Sequence, residues 1–237
     1  MPKKEKVKEM FGQIAPKYDN LNHIMSFSID KSWRRKAIKR LSEGLEQDPQ
    51  PEVLDLACGT GDFAIQTALS IPFCHVTGVD LTEEMLRVME EKVVKEGLSG
   101  RIAMEVGDGE NLRFPDGSFE RVSCAFGIRN FEDREKGLRE MLRVLKPGGR
   151  VVILELSEPG NPVVRWLYNL YFLHILPLIG GKVSGDKAAY RYLPASVVKF
   201  PPVKVFMQTM RDCGFGAVSQ KAFTFGTCRM YIGEKLS

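Results

Sequence analysis

Short apolar runs, each handing over to a longer stretch of mixed polarity, recur along much of the chain. Val53, Leu54, Leu56 and Ala57 form one such run, with the look of a buried parallel strand, and Gly59, Thr60 and Gly61 then break it. A helical pattern follows from Asp62 to about Ser70. The second predicted strand is His75 to Leu81, and Thr82-Glu83-Glu84-Met85 opens a helix that continues to about Glu96, with acids near its positive end. A third strand, Ile102 to Val106, ends at Gly107-Asp108-Gly109. The turn from Phe114 to Phe119 leads into a fourth, Arg121 to Phe126. A helix from Arg134 to Leu145 is expected to stop at Lys146-Pro147-Gly148-Gly149, ahead of a fifth strand from Arg150 to Leu156.

The alternation then pauses. Val163 to Gly181 and Lys187 to Phe200 read as an aromatic-rich helical insert broken by prolines, and the helix Val203 to Cys213 resumes the pattern. Ala217 to Phe225 and Thr227 to Glu234 read as a closing hairpin joined at Gly226. The order predicts an α/β fold: a doubly wound, seven-stranded, mostly parallel sheet with a C-terminal antiparallel hairpin. One domain over residues 1–237 is expected, with 1–45 as a helical cap and 158–202 as an inserted helical lid.

Ahead of the first strand, residues 1 to about 10 read as a basic, mobile tail. Met10 to Leu41 has a mixed helical pattern carrying Phe11, Tyr18, Phe27 and Trp33, and Pro16 starts or kinks a helix. Tyr18, Asp19, Asn20 and Asn22 form a dense polar cluster there. Two readings are open: a helix pair packed on the core, or a segment that covers a ligand.

The strand, glycine turn and helix around Gly59 offer bare backbone at the end of a strand. Read from Gly59, GTGDFA satisfies G-x-G-x-x-A, and Asp80 lies where a ribose-binding acid is expected, so a dinucleotide is one candidate. S-adenosylmethionine is the other, and charge favours it. Asp55 and Asp62 flank the glycines, and the loop has no Lys or Arg of its own, so a pyrophosphate would meet carboxylates where a cationic amino acid would be attracted. Asp108 suits an adenine amino group or a plain Asp-Gly turn. Arg129 and Asn130 follow the fourth strand and should face the site, although an arginine there also suits a surface ion pair.

Whole-chain properties narrow the class. The 237 residues carry a net charge of +4, much of it from Lys3, Lys4, Lys6 and Lys8, which argues against a nucleic-acid partner held by bulk charge but not against an anionic membrane surface. Five cysteines without C-x-x-C spacing read as buried free thiols in a reducing, cytoplasmic setting. His23, His75 and His174 are scattered and suggest no metal site. The first twenty residues lack the apolar core of a signal peptide, and Val163 to Ile179 is too interrupted to span a membrane but suits an interfacial or lid helix.

Taken in order, the Asp55–Asp62 loop, Asp80, Asp108, LKPGG and the terminal hairpin resemble a class I S-adenosylmethionine-dependent methyltransferase. FGQIAPKYDNLNHIMSFSIDKSWRR, FGIRN, and YNLYFLHILPLIGG followed by YRYLPASVVKFP resemble the ubiquinone/menaquinone biosynthesis C-methyltransferase family, from about residue 8 to 234. The resemblance implies methyl transfer to a ring carbon of a prenylated quinol, demethylmenaquinol or its benzoquinol counterpart. It implies cofactor contacts at Thr60, Asp80 and the Asp108-Gly109 pair; Asp55, Gly59, Gly61, Met85 and Ala125 complete the expected cofactor site, with Ala125 standing where many members have Ser, so that a side-chain hydrogen bond is absent there. The GTCRMYIG ending also departs from the family's usual one. Arg129 is expected to stabilise a phenolate or hydroxide-like water, with Tyr18, Asp19 and Asn130 orienting that water or taking the proton. Peripheral contact with the inner face of the membrane and a homodimer are further expectations. Two other functions stay open: methylation of another phenol or amine, and a non-catalytic cofactor-binding partner in a quinone-synthesis assembly.

Overall fold

The computed structural model describes residues 3–19, 26, 28–46, 48–171 and 187–236. Asn20, Asn22, Phe27, His23 and the stretch 172–186 lie outside the described residues. Seven strands form one sheet: β1 (Glu52–Leu56), β2 (His75–Asp80), β3 (Ile102–Val106), β4 (Phe119–Ala125), β5 (Leu145–Leu156), β6 (Gly216–Phe223) and β7 (Cys228–Glu234). Their order is β3-β2-β1-β4-β5-β7-β6, parallel through β5 and antiparallel at β7 and β6.

Alternation along the strands divides the core into two layers, because successive side chains leave a strand on opposite faces. Val53, Val76, Val152, Leu154, Met230 and Ile232 face one side. There they meet α2 (Asp30–Ser42), α3 (Asp62–Ser70) and α4 (Glu83–Lys95) through Trp33, Ile38, Leu41, Phe63, Leu86 and Met89. Leu54, Leu56, Val122, Val151, Ile153 and Tyr231 face the other. They are covered by α5 (Arg134–Val144) and α8 (Val203–Asp212) through Leu138, Met141, Phe206 and Met210. The insert supplies α6 (Pro162–Leu170) and α7 (Lys187–Val198).

Two expectations need correction. Residues 3–14 are a helix, α1 (Lys3–Ile14), rather than a mobile tail. Val7 and Ile14 are buried, Ile14 and Ala15 pack on Met85, and the Phe11 ring meets Tyr18 edge-on at 5.8 Å, so apolar contacts hold what the lysines made look like a solvated tail. LKPGG does not merely stop a helix: it is the first part of β5, with Leu145 paired to Phe119 and a register shift before Arg121. Gly148 (φ 73°) supplies the irregularity, its N–H donating to Lys235 O at 2.9 Å while Lys235 N–H returns to Gly149 O at 2.9 Å.

The C-terminal end of α2 is tied to the sheet by two arginines. Arg121 Nε donates to Leu41 O at 2.8 Å and Arg150 Nη1 to Arg40 O at 2.8 Å, satisfying carbonyls that the helix leaves open and opposing its negative end. This docking sets where the opposite end of α2, with Trp33 and Arg34, meets the sheet.

At the other key contact, Gly61 (φ 81°) starts α3 against α4, and a Cβ there would lie 2.4 Å from Met89 Cγ. Gly61→Ala is expected to cost about 2–4 kcal/mol through left-handed strain and overpacking. That should lower the melting temperature by roughly 5–10 °C, and an unchanged melting curve would refute this packing role.

Candidate active site

The strand order reverses between β1 and β4, and ligands of open α/β sheets bind at such a reversal, beyond the carboxyl ends of the strands. Both strands end there in left-handed backbone at non-glycine residues, Ala57 (φ 51°) and Phe126 (φ 60°). Such conformations cost energy and concentrate at functional sites. The two turns touch: a Cβ on Gly127 would lie 2.4 Å from Ala57 Cβ.

Three cavities meet around Tyr18 and Phe126, which line all of them. One, of about 80 Å³, runs past Gly59, Asp80, Met85, Asp108, Gly109, Ala125 and Asn130 and is roofed by α1. A polar one of about 40 Å³ is lined by Asp19, Arg34, Asp55, Thr60 and Asp62. The third, about 210 Å³ and mostly apolar, is lined by Trp33, Leu156, Tyr168, Tyr171, Leu193 and Arg129.

The glycine turn is held from two sides. Asp80 accepts from Gly59 N–H at 2.9 Å and Thr82 N–H at 2.8 Å, so one carboxylate braces the loops after β1 and β2. Burial raises its pKa, against those same bonds. Above the turn, Thr60 Oγ1 bonds Asp19, Lys92 Nζ reaches Asp19 at 2.8 Å and also pairs with Asp62, and Arg34 Nη1 reaches Asp62 at 2.9 Å and Asp30 at 2.8 Å. The loop has no Lys or Arg of its own, as expected, but bases from other elements oppose one of its acids. Asp62 is matched by Lys92 from α4 and Arg34 from α2, and burial shifts Asp55 and Asp80 towards their uncharged forms.

Asp55 is buried, accepts from Ser123 Oγ at 2.7 Å through Oδ1, and has no hydrogen-bond partner for Oδ2 among the described residues. Asp108 is already engaged through both oxygens, by Glu110 N–H at 3.0 Å and by Lys4 Nζ at 2.6 Å.

Arg129 is buried, not on the surface. Its Nη1 donates to Glu155 at 2.7 Å and to Phe126 O, its backbone N–H reaches Glu155 at 3.1 Å, and its Nε reaches Ser196 at 3.3 Å. Neighbouring Asn130 accepts from Tyr192 OH at 2.9 Å, which links the loop after β4 to α7. Sequence reasoning missed Glu155, Lys92, Arg34, Tyr192 and Lys4. A lone acid in the apolar run of β5 was a usable signal for Glu155; the rest depend on long-range packing.

The reversal cleft, the braced glycine turn and the acid at the end of β2 are the frame of a class I S-adenosylmethionine-dependent methyltransferase. The chain belongs to the ubiE/COQ5 methyltransferase family, whose model matches residues 1–235. It is 47% identical over 234 residues to a ubiquinone/menaquinone biosynthesis C-methyltransferase UbiE of Geotalea daltonii, covering 98% of this chain and 97% of that one. A demethylmenaquinone methyltransferase of Deinococcus radiodurans is 45% identical, with 98% and 94% covered. Among solved structures, the [4+2]-cyclase SpnF superposes with a TM-score of 0.73 at 18% identity, covering 99% and 97% of the two chains. An S-adenosylmethionine-dependent methyltransferase from Methanococcus maripaludis, described as putative, gives 0.66 at 16%, covering 95% and 94%. That a cyclase shares the fold shows that the sheet alone does not fix the reaction.

The residues fit the cofactor. The polar cavity offers the unpartnered Asp55 oxygen and further carboxylates to a ligand bearing a sulfonium and an ammonium group. The uncharged form of Asp55 is favoured without a ligand, because burial lifts its pKa to about 7 against the Ser123 bond and nearby Arg34. An unfolded aspartate titrates at about 3.9, so the stability of the neutral buried form is fully present below that pH and is lost as the pH rises towards 7. In cofactor-free protein, Asp55→Asn should therefore gain melting temperature relative to wild type between pH 4 and pH 8, by about 2–4 °C per kcal/mol. A pH-independent difference would contradict this.

Proposed function

We propose that the chain methylates a ring carbon of a prenylated quinol, converting demethylmenaquinol to menaquinol. The observation that carries this reading is the apolar, aromatic-walled cavity of about 210 Å³ with the buried Arg129 in its lining, adjoining the polar cavity of the glycine turn. The names of the Geotalea and Deinococcus relatives support the same substrate class.

Carbon methylation of a quinol needs an ionised hydroxyl beside the target carbon. With a tyrosine-like pKa of about 10, ionisation near neutrality costs about 4 kcal/mol. The cofactor, when bound, supplies an electrophilic methyl group on a sulfonium. Arg129 lowers the ionisation cost by donating hydrogen bonds to the developing oxyanion. Glu155 already balances its charge, so its contribution is directed donation in a dry cavity rather than an uncompensated charge. Trp33, Tyr168 and Tyr171 exclude water from the ring and its tail. Tyr18 and Asn130 orient the hydroxyl or a water that takes its proton. Asp19 lines the polar cavity and holds the cap on Thr60.

Arg129→Ala would leave Glu155 buried without its partner, at a cost of about 3–5 kcal/mol, so Arg129→Lys is the cleaner probe. It should leave calorimetric S-adenosylmethionine affinity within about twofold and reduce single turnover of demethylmenaquinol by roughly 10²-fold. Unchanged turnover removes Arg129 from the mechanism, and no turnover by wild type removes the substrate assignment.

The membrane is the source of such a substrate. No helix among the described residues is long and apolar enough to cross it. α6 instead presents Val163 (67% exposed), Trp166 (64%) and Leu167 (52%) to solvent, on the helix that sends Tyr168 into the apolar cavity wall. This face enters the headgroup region. Trp166→Glu with Leu167→Glu should abolish flotation with anionic liposomes, and flotation at the wild-type level would count against the assignment.

A further inference from the structure

One cationic group lines the polar cavity and takes no part in the ring chemistry. Among the described residues lining that cavity, Arg34 is the one lysine or arginine, facing a wall that includes Asp19, Asp55 and Asp62. It is only 6% exposed. Its Nη1 serves both Asp62 and Asp30, while Nε and Nη2 have no hydrogen-bond partner among the described residues. A buried guanidinium with unused donors is costly unless something in the cavity accepts from them.

The cofactor's amino-acid end carries two opposite charges. Carboxylates can receive the ammonium, but the cofactor's own carboxylate would be repelled by a wall made of acids alone. We propose that Arg34 binds the methionyl carboxylate of S-adenosylmethionine, and thereby orients the amino-acid end within the acid-lined turn. A guanidinium suits this because its planar fork matches two carboxylate oxygens and stays charged when buried. Asp62 and Asp30 fix the fork from the Nη1 side, and the docking of α2 through Arg121 and Arg150 fixes where the helix places it. The assignment concerns the cofactor and holds whichever acceptor is methylated. It also gives the N-terminal cap a direct part in cofactor selection, because Arg34 comes from outside the sheet.

The test is calorimetry on the full chain with S-adenosylmethionine and with decarboxylated S-adenosylmethionine, which lacks that one carboxylate. Wild type should prefer the carboxylated ligand at least about tenfold. Arg34→Met should abolish the preference by weakening S-adenosylmethionine alone, and Arg34→Lys should keep part of it. The assignment is overturned by a wild type that binds both ligands equally, or by an Arg34→Met variant that keeps the preference or weakens both equally. Arg34 also lines the apolar cavity, so a variant with unchanged affinity for S-adenosylmethionine and a raised KM for the quinol would likewise overturn the assignment, giving Arg34 to the quinol instead. Should Arg34→Met fail to give a cooperative melt, Arg34→Lys decides: a smaller preference supports the assignment, and an unchanged one overturns it.

Discussion

The reversal of strand order between β1 and β4 is the constraint on which the site depends. Crossover helices on either side of that point leave for opposite faces of the sheet, so no backbone fills the space above the two strand ends. The chain lines this space with backbone held in uncomfortable conformations. Ala57 and Phe126 are left-handed without being glycine, and Gly127 is needed because any Cβ there would collide with Ala57. Asp80 then braces the loop after β1 by accepting from Gly59 N–H, a cross-strand hydrogen bond that neither loop makes alone.

A second layer of organisation is electrostatic. Lys92 and Arg34, from two different helices, alternate with Asp19, Asp62 and Asp30 over the glycine turn. Apart from the i,i+4 pair of Arg34 with Asp30, each charge is compensated by neighbours distant in sequence, so the N-terminal cap, α3 and α4 are held in one arrangement around the polar cavity. Arg129 and Glu155 do the same at the edge of the apolar cavity, where both are buried. Breaking either partner in such a pair costs more than the pair contributes, which makes these contacts devices of position more than of stability.

The sheet was legible because buried strands announce themselves as apolar runs and glycine turns punctuate them. Asp80, Asp108 and the GTGD turn were legible for the same local reason, lying at strand ends fixed by that punctuation. α1 is hidden in the sequence because four lysines outweigh Val7, Phe11 and Ile14, and the last two pack against Met85 and Tyr18 elsewhere in the chain. LKPGG looks like a stop because proline and glycine end helices, whereas pairing with Phe119 and Lys235 makes it strand. Arg34 and Lys92 carried no signal at all: a basic residue on a helix is ordinarily solvated, and only the fold brings these two to Asp62.

The five thiols remain. Cys58, Cys74, Cys124, Cys213 and Cys228 are all free and buried, and burial pushes the pKa of each upward, that of Cys74 to about 11. Nucleophilic attack by sulfur requires the thiolate, which a dry interior suppresses, so an alkylating reagent meets almost no reactive sulfur while the sheet is closed. Labelling with such a reagent would time the opening of the molecule, and any ligand that braces the cleft would slow the clock.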